Sequence, residues 1–209
     1  MPEQDPNVPR QPTGGDARER WNRRWAGRGV PALTRPPARW LAENRDLLTV
    51  ATPGGRALDV ACGDGRNAAF LAQLGFAVDA VDISDVAIDA IAGAAAERGL
   101  AITARQSDLE QDPLPDGPYD AITVFNYLQR DLFAALEAAL SPGGILVYET
   151  FTAAHARELG HAVDERYLLA PGELGGAFPS LAVLRHREGI DERGDRPRAV
   201  ASLVARRSQ

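Results

Sequence analysis

A glycine-rich turn between an apolar run and a helical pattern limits the folds open to this chain more than any other feature. Residues 57–61 read Ala-Leu-Asp-Val-Ala, a short apolar run that contains a single acid, Asp59. Residues 63–65 are Gly-Asp-Gly, and residues 66–74 place their large apolar side chains on one face of a helix. The pattern predicts a strand that turns sharply into a helix.

This turn has the chemistry of a nucleoside site. Gly63 and Gly65 permit a positive φ and let a ligand lie against bare backbone, and the N–H groups at the start of the helix face the same place. Asp82 lies at the end of a second apolar run, about 20 residues after the first glycine, where a carboxylate can accept both hydroxyls of a ribose. The two segments together predict a nucleoside pocket.

Strand and helix patterns alternate along the rest of the chain. Strands are predicted near residues 56–61, 77–82, 101–106, 119–125, 144–150, 181–188 and 198–206, and helices near residues 17–26, 36–50, 66–74, 84–98, 130–140 and 171–177. Such alternation implies a parallel sheet with helices on both faces. Only a polar, turn-rich segment separates the last two strands, which should pair as an antiparallel hairpin. The predicted fold class is therefore α/β, with a doubly wound, seven-stranded, mostly parallel sheet.

The chain of 209 residues is long enough for one such domain. Residues 1–15 are rich in proline, glycine and polar residues, and we expect a disordered tail there followed by a single domain over residues 16–209. Within that domain, residues 16–52 are predicted to form an N-terminal helical flap. Residues 152–170 are a long polar connection at the carboxyl edge of the sheet, and they are predicted to form a lid loop.

Composition excludes several classes of function. The net charge is −6 and the arginines are scattered, which argues against nucleic acid as a partner. The chain contains no lysine, so Schiff-base chemistry is excluded. The single cysteine, Cys62, excludes an intramolecular disulfide, and its place in the crowded turn favours a packing role. With no long apolar run and no apolar leader, the expectation is a soluble, cytoplasmic protein without a membrane partner; the oligomeric state stays open.

Four features of the sequence belong together: Asp59 inside the first strand, the turn Cys-Gly-Asp-Gly-Arg-Asn at 62–67, Asp108 after the third strand, and Pro-Gly-Gly at 142–144 before the fifth strand. Together they resemble class I S-adenosylmethionine-dependent methyltransferases, over about residues 20–206. The Gly-Arg-Asn of the turn, Pro-Gly-Glu-Leu at 171–174 and Val-Ala-Arg-Arg at 204–207 are most similar to the tellurite-resistance methyltransferases and their relatives. Those enzymes carry a His-Arg pair before the last strand, whereas residues 190–196 here contain no histidine. The acceptor is therefore left open.

The resemblance implies S-adenosylmethionine as cofactor and assigns each portion of this molecule to a different part of the chain. The glycine turn would hold the methionine portion, Asp82 the ribose and Ile83 the adenine face, while Asp108 would meet the adenine amino group. A helical flap carrying Trp25 would close over the site. The cofactor-binding residues expected in this way are Trp25, Asp59, Ala61, Gly63, Gly65, Asn67, Asp82, Ile83, Asp108, Leu109 and Asn126.

Catalysis in this class needs few chemical groups. Methyl transfer from a sulfonium is an in-line displacement, so the enzyme mainly aligns the reactants and excludes water. Tyr127 offers an aromatic face for the sulfonium. Arg130, with Arg157 and Arg166, could attract an anionic acceptor, and His155 in the lid could contact it. Tyr127, Arg130 and His155 are thus the catalytic candidates, with packing or surface roles as the alternatives, and no spacing indicates a metal site.

Two other functions fit part of the pattern. Gly63, Gly65 and Ala68 also match the dinucleotide fingerprint, which favours a nicotinamide-dependent oxidoreductase. The terminal hairpin and Asp108 count against that interpretation. A non-catalytic protein that binds S-adenosylmethionine is the third possibility. The favoured prediction is methyl transfer to a small-molecule acceptor, namely an oxyanion, a thiol or a small carboxylate.

Overall fold

The computed structural model describes residues 17–29, 31–48, 54–160 and 164–209. Its strands are β1 (Arg56–Val60), β2 (Ala77–Asp82), β3 (Ile102–Gln106), β4 (Tyr119–Phe125), β5 (Leu140–Phe151), β6 (Leu181–Asp191) and β7 (Arg198–Arg207). They form one sheet in the order β3-β2-β1-β4-β5-β7-β6. Strands β1 to β5 are parallel, and β7 is antiparallel to both of its neighbours. The predicted fold class is confirmed; the predicted tail over 1–15 lies outside the described residues.

Helices cover both faces of the sheet. They are α1 (Ala17–Ala26), α2 (Arg39–Glu43), α3 (Arg66–Gln73), α4 (Asp85–Arg98), α5 (Phe133–Ala139), α6 (Ala153–Arg157) and α7 (Glu173–Gly176), with 3-10 turns at Arg45–Leu47, Arg130–Leu132 and Glu165–Tyr167. Ser84 caps α4, because its Oγ accepts a hydrogen bond from the backbone N–H of Ala87 at 3.2 Å. In the described residues, no helix has the length and apolar character needed to cross a membrane.

The core has two halves, one on each face of the sheet. Helices α2, α3 and α4 pack on one face, and the segment from Leu128 to α7 packs on the other. Strand β1 contributes side chains to both halves of the core, since Ala57 packs in the first half and its neighbour Leu58 packs in the second. A parallel strand buried on both faces reads as a nearly continuous apolar run, and in β1 this run, after Arg56, is interrupted only by the buried Asp59.

The helix predicted over 36–50 is much shorter in the structure. Helix α2 spans Arg39–Glu43 and is followed by a 3-10 turn, while residues 49–53 lie outside the described part. The break follows from Asn44, whose buried side-chain amide donates to the carbonyl oxygen of Trp40 at 2.6 Å. A side chain that competes for backbone carbonyls disfavours continuation of a helix. Leu41 and Leu48 are nevertheless buried.

The predicted lid is largely ordered structure. Residues 153–157 form α6, and the two ends of the segment are tied together, because the N–H of Ala153 donates to the carbonyl oxygen of Leu169 and the N–H of Leu169 donates to that of Phe151, both at 2.9 Å. Residues 161–163 lie outside the described residues. The described portion thus contains two short helical segments, and backbone pairing at Leu169 satisfies groups that an open loop would leave to water; its role as a lid stays a prediction.

Candidate active site

A cavity of about 300 Å³ opens at the carboxyl ends of β1, β2 and β4. Strand order reverses here, because β1 pairs with β2 on one side and with β4 on the other. The crevice at such a switch point is where open α/β sheets bind ligands. Nine of the eleven predicted cofactor residues line it: Trp25, Ala61, Gly63, Asn67, Asp82, Ile83, Asp108, Leu109 and Asn126.

Asp82 is joined to the glycine turn. One of its carboxylate oxygens accepts a hydrogen bond from the N–H of Gly63 and the other accepts from the N–H of Ser84, each at 2.9 Å. The side chain is buried, and burial raises the pKa of this carboxyl above its ordinary value despite the two backbone donors. Each carboxylate oxygen can accept a further hydrogen bond. Asp82 thus holds the turn in place, and each of its carboxylate oxygens can still accept a hydrogen bond from a ligand in the cavity.

Two residues that are not glycine have a positive φ at this edge of the sheet. Ala61, just after β1, has a φ of 53°, and Asn126, just after β4, has a φ of 56°. Both line the cavity. The N–H of Asn126 donates to the carbonyl oxygen of Glu149 at 2.9 Å, which fixes its backbone. Such conformations are costly and concentrate at functional sites.

Gly65 and Asp59 do not line the cavity, unlike the other predicted cofactor residues. A Cβ at Gly65 would lie 2.6 Å from Cδ2 of Leu33, so this glycine is required by packing beneath the turn. Asp59 is buried and accepts hydrogen bonds from the N–H of Ala68 at 3.0 Å and the hydroxyl of Thr123 at 2.8 Å. Both residues support the turn from behind. Burial raises the pKa of Asp59 to about 7.

Helix α1 forms the roof of the cavity. Trp21 and Trp25 line it and stack with ring centroids 6.3 Å apart. Trp25 lies so close to the glycine turn that a Cβ at Gly63 would be 2.7 Å from its ring. The indole N–H of Trp25 is buried and finds no acceptor among the described residues. A buried donor of this kind facing a cavity is suited to a hydrogen bond with a ligand.

The wall after β3 is formed by a tight turn. Asp108 accepts hydrogen bonds from the N–H of Glu110 at 3.2 Å and from the side-chain amide of Gln111 at 2.7 Å. Leu109 is buried, and its carbonyl oxygen accepts a hydrogen bond from Gln129 at 2.8 Å. Asp108, Leu109 and Ile83 therefore form one side of the cavity, the side where the sequence predicted the adenine.

Tyr127 is the catalytic candidate that the structure brings to the cavity. Its hydroxyl donates to Oε1 of Gln129, and its carbonyl oxygen accepts from the hydroxyl of Tyr148 at 2.9 Å. Burial and nearby acids, including Glu110 and Asp108, raise the pKa of Tyr127. The hydroxyl therefore stays protonated at neutral pH, and what Tyr127 offers is its ring and a hydrogen bond, not a base.

His155 and Arg130 lie outside the cavity. His155 is completely buried against Phe151, with ring centroids 4.4 Å apart, and its Nδ1 accepts a hydrogen bond from the N–H of Ala199 at 3.2 Å. Arg130 donates to both carboxylate oxygens of Glu173, at 2.5 and 2.8 Å. The sequence suggested acceptor contact for His155 from its place in the lid and for Arg130 from its charge, but His155 is packed inward and Arg130 holds the segment from Arg166 to Glu173.

The other arginines proposed for the acceptor are also elsewhere. Arg166 forms an exposed ion pair with Asp164 at 2.7 Å, and neither Arg157 nor Arg166 lines the cavity. The arginines that do line it include four that the sequence did not single out: Arg28, Arg35, Arg66 and Arg198. Arg66 follows the glycine turn directly, which was a usable signal. The others come from loops and from the start of a distant strand, which no local pattern marks.

Cys62 lines the cavity but is suited to packing. Its side chain is buried, and its N–H donates to the carbonyl oxygen of Val81 at 3.0 Å. Burial, together with the charges of Asp82 and Asp59, raises the pKa of the thiol well above its ordinary value. The thiolate, which is the reactive form, is therefore suppressed.

Comparisons with known proteins agree with this geometry. Residues 57–144 match the model of the methyltransferase domain family. Ribosomal protein L11 methyltransferase of Symbiobacterium thermophilum is 33% identical over 150 residues, which is 70% of this chain and 46% of the relative. TehB from Haemophilus influenzae has a TM-score of 0.66 at 17% identity, covering 91% of this chain and 67% of that one. The N-methyltransferase NodS from Bradyrhizobium japonicum, in complex with S-adenosyl-L-homocysteine, has a TM-score of 0.65 at 19% identity, covering 92% and 98%.

Residues 57–144, less than half of the chain, are thus similar to methyltransferase domains. The family match and the curated relatives support the predicted resemblance to S-adenosylmethionine-dependent methyltransferases over these residues. The chain spans less than half the length of the first curated relatives that it matches. The residues that line the cavity fit S-adenosylmethionine, because they supply a bare glycine turn, a buried carboxylate at Asp82 and aromatic rings suited to a sulfonium at Trp25 and Tyr127.

Proposed function

We propose that this protein transfers the methyl group of S-adenosylmethionine to a small-molecule acceptor. The observation that carries the proposal is the pairing of Asp82 with Gly63 at the switch point of the sheet, where a carboxylate and bare backbone face one cavity. A small acceptor is favoured because α1, through Trp21 and Trp25, roofs that cavity. The narrower resemblance to the tellurite-resistance methyltransferases stays a prediction.

The bound cofactor supplies an electrophilic methyl group on a sulfonium. The nucleophilic atom of a bound acceptor would form a bond to this methyl carbon as the carbon–sulfur bond breaks, and the electron pair would stay on sulfur. Such a displacement depends on alignment and on exclusion of water. In this protein Asp82 and the turn would orient the donor, α1 would keep water out, and the ring of Tyr127 would tolerate the positive charge.

The nicotinamide alternative is disfavoured by the sheet. A dinucleotide-binding fold uses a second mononucleotide-binding half after the first. Here β6 and β7 form an antiparallel hairpin, with β7 inserted next to β5, so the second half is incomplete. Calorimetric titration with NADH should therefore show no binding, and tight binding would restore the oxidoreductase interpretation.

Titration with S-adenosylhomocysteine tests the donor site. Wild type should bind it, and Asp82→Asn should weaken binding at least tenfold, because an amide cannot accept from both neighbouring N–H groups and from a ribose hydroxyl, each worth about 1 kcal/mol or more. Asp89→Asn is the matched control, since Asp89 is exposed on α4 and outside the cavity. Equal affinity of the two variants for S-adenosylhomocysteine would show that Asp82 does not bind the donor.

An acceptor screen separates an enzyme from a non-catalytic binding protein. Oxyanions, thiols and small carboxylates would each be incubated with the protein and S-adenosylmethionine, and the S-adenosylhomocysteine formed would be measured. At least one small acceptor should raise its formation above the rate without acceptor. Binding of S-adenosylhomocysteine without turnover on any of them would support the non-catalytic alternative.

A further inference from the structure

The cavity is lined by arginines whose charge the protein neutralises only in part. Arg66 lines the cavity, and its side chain makes no hydrogen bond or ion pair within the part of the chain that the structure describes. Burial and the neighbouring charges of Arg35 and Arg198 lower the pKa of Arg66 to about 10 against the opposing charges of Asp64 and Asp59, so it remains protonated at neutral pH. A cation held in this way needs an anion from outside the protein.

Arg198 is only partly satisfied as well. One of its terminal nitrogens donates to Oδ1 of Asn126 at 2.5 Å, and the other lies 3.6 Å from a carboxylate oxygen of Glu149. Its Nε–H is buried and has no acceptor among the described residues. The guanidinium also lies over the ring of Phe151, 4.8 Å from the centroid. Arg198 is thus positioned by three neighbours and keeps a donor unused.

Two of the nearby acids, Asp64 and Glu149, are already engaged with other arginines. Asp64 forms an ion pair with Arg35. Glu149 accepts hydrogen bonds from Arg187 at 3.1 Å and from the hydroxyl of Ser202 at 2.7 Å, so it neutralises the charge of Arg198 only in part. Two guanidinium groups, those of Arg66 and Arg198, are therefore left to interact with a ligand.

An anion bound in the cavity could be the carboxylate of the cofactor or a group of a second ligand, and the positions of the arginines distinguish these two sources. The cofactor brings its own carboxylate on the methionine portion, and Arg35 with Asp64 lies at the glycine turn expected to hold that portion. Arg198 instead contacts Asn126, which follows β4 on the side of the cavity away from β2. An anion bound by Arg198 would lie beside Asn126, where the sequence places the reactive methyl.

We propose that the methyl acceptor is a small anion, a carboxylate or an oxyanion, whose negative group is bound by Arg66 and Arg198. The proposal rests on the proposed function, because it names the substrate class for the same site. Arginine suits this task, since its planar guanidinium binds carboxylates and oxyanions with two parallel hydrogen bonds. Glu149 acts as a positioning residue that holds Arg198 against Asn126.

Calorimetry on the purified protein tests the assignment in two steps. S-adenosylhomocysteine is titrated first into wild type, Arg66→Gln, Arg198→Gln and Arg185→Gln. Arg185 is the matched control, because it also lies in the terminal hairpin and pairs with an acid, Asp46, but is outside the cavity. Benzoate, inorganic phosphate and neutral benzamide are then titrated into each protein saturated with S-adenosylhomocysteine.

Wild type and Arg185→Gln should bind benzoate or phosphate and not benzamide, whereas Arg198→Gln should bind the anion at least tenfold more weakly with unchanged affinity for S-adenosylhomocysteine. Arg66→Gln should also bind the anion at least tenfold more weakly than wild type does. Loss of S-adenosylhomocysteine affinity in Arg198→Gln would assign the guanidinium to the cofactor carboxylate and overturn the proposal. Anion binding no better than that of benzamide, or unchanged in Arg198→Gln, would overturn it as well. Wild type that failed to bind S-adenosylhomocysteine would instead remove the proposed function.

Discussion

Gly63 and Gly65 are two residues apart and both have a positive φ, yet a side chain would meet different obstacles at the two positions. A Cβ at Gly63 would meet the ring of Trp25, which belongs to the roof helix α1. A Cβ at Gly65 would meet Leu33 and Ile91, which belong to the core. The first glycine therefore serves the cavity and the second serves the fold.

Alanine at each position should separate these roles. Both variants incur about 1–2 kcal/mol for a left-handed backbone conformation, and Gly65→Ala adds about 1–3 kcal/mol for overpacking. Urea unfolding should show the larger loss in Gly65→Ala. Calorimetry should show the larger loss of S-adenosylhomocysteine affinity in Gly63→Ala, because displacing Trp25 disturbs the cavity. Matching losses in both measurements would contradict the distinction.

Asp59 makes the stability of the protein depend on pH. Burial raises its pKa from 3.8 in the unfolded chain to about 7 in the native state. As the pH rises through this window, the unfolded chain releases its proton first, so the free energy of unfolding falls; above the native pKa this group adds no further change.

Asp59→Asn lacks this ionisation and serves as the comparison. Relative to the variant, wild type should lose about 2 kcal/mol of unfolding free energy between pH 5.5 and pH 8, since each unit of pKa shift corresponds to about 1.4 kcal/mol. Urea unfolding of both proteins at the two pH values measures the difference. A difference that stays constant with pH would mean that Asp59 is ionised in the native state throughout the range.

The attachment of α1 to the rest of the protein differs from that of α6. Helix α1 contains no buried residue, and its attachments to α4 include an exposed ion pair from Arg18 to Asp85 and a hydrogen bond from the hydroxyl of Ser84 to Asn22, both at 2.7 Å. Helix α6, in contrast, buries His155. Elements with few buried groups open most easily.

Hydrogen exchange with and without S-adenosylhomocysteine should therefore distinguish the two helices. Residues 17–26 should exchange more slowly with ligand, because Trp21 and Trp25 line the cavity. Residues 153–157 should exchange equally in both states. If the ligand protected α6 as strongly as α1, the lid that the sequence suggested would be supported. If α1 exchanged equally with and without ligand, it would be a rigid packing element.

At the scale of the whole molecule, a ligand bound in the cavity should stabilise the native fold. The cavity joins β1, β2 and β4 with α1, so a ligand bound there contacts elements that are distant in sequence. A ligand that binds only the native state stabilises it by about 2.7 kcal/mol at 100 times its Kd.

For a chain of this length, that stabilisation corresponds to a rise in Tm of about 5–10 °C. S-adenosylhomocysteine at that concentration should produce this rise in a thermal melt, whereas NADH at the same concentration should leave Tm unchanged. An equal rise with both ligands would indicate a general nucleotide site, and no rise with either would argue against ligand binding at the cavity.

The sequence by itself determined the alternation of strands and helices, the antiparallel hairpin and the glycine turn with Asp82. These features are local: apolar periodicity and the conformational freedom of glycine act within a few residues. The same locality explains why α1 was predicted with its observed bounds and why the carboxyl edge of the sheet was identified as the site.

Only the tertiary structure decided which side chains face the cavity. His155 lies in a polar segment that was predicted to be a lid, but its ring is buried and accepts a hydrogen bond from Ala199, and Arg130, predicted to attract an acceptor, pairs with Glu173 instead. Arg66 and Arg198 are 132 positions apart in the sequence and come together because β7 inserts between β5 and β6. Strand insertion depends on long-range packing, and no short window of sequence contains that information.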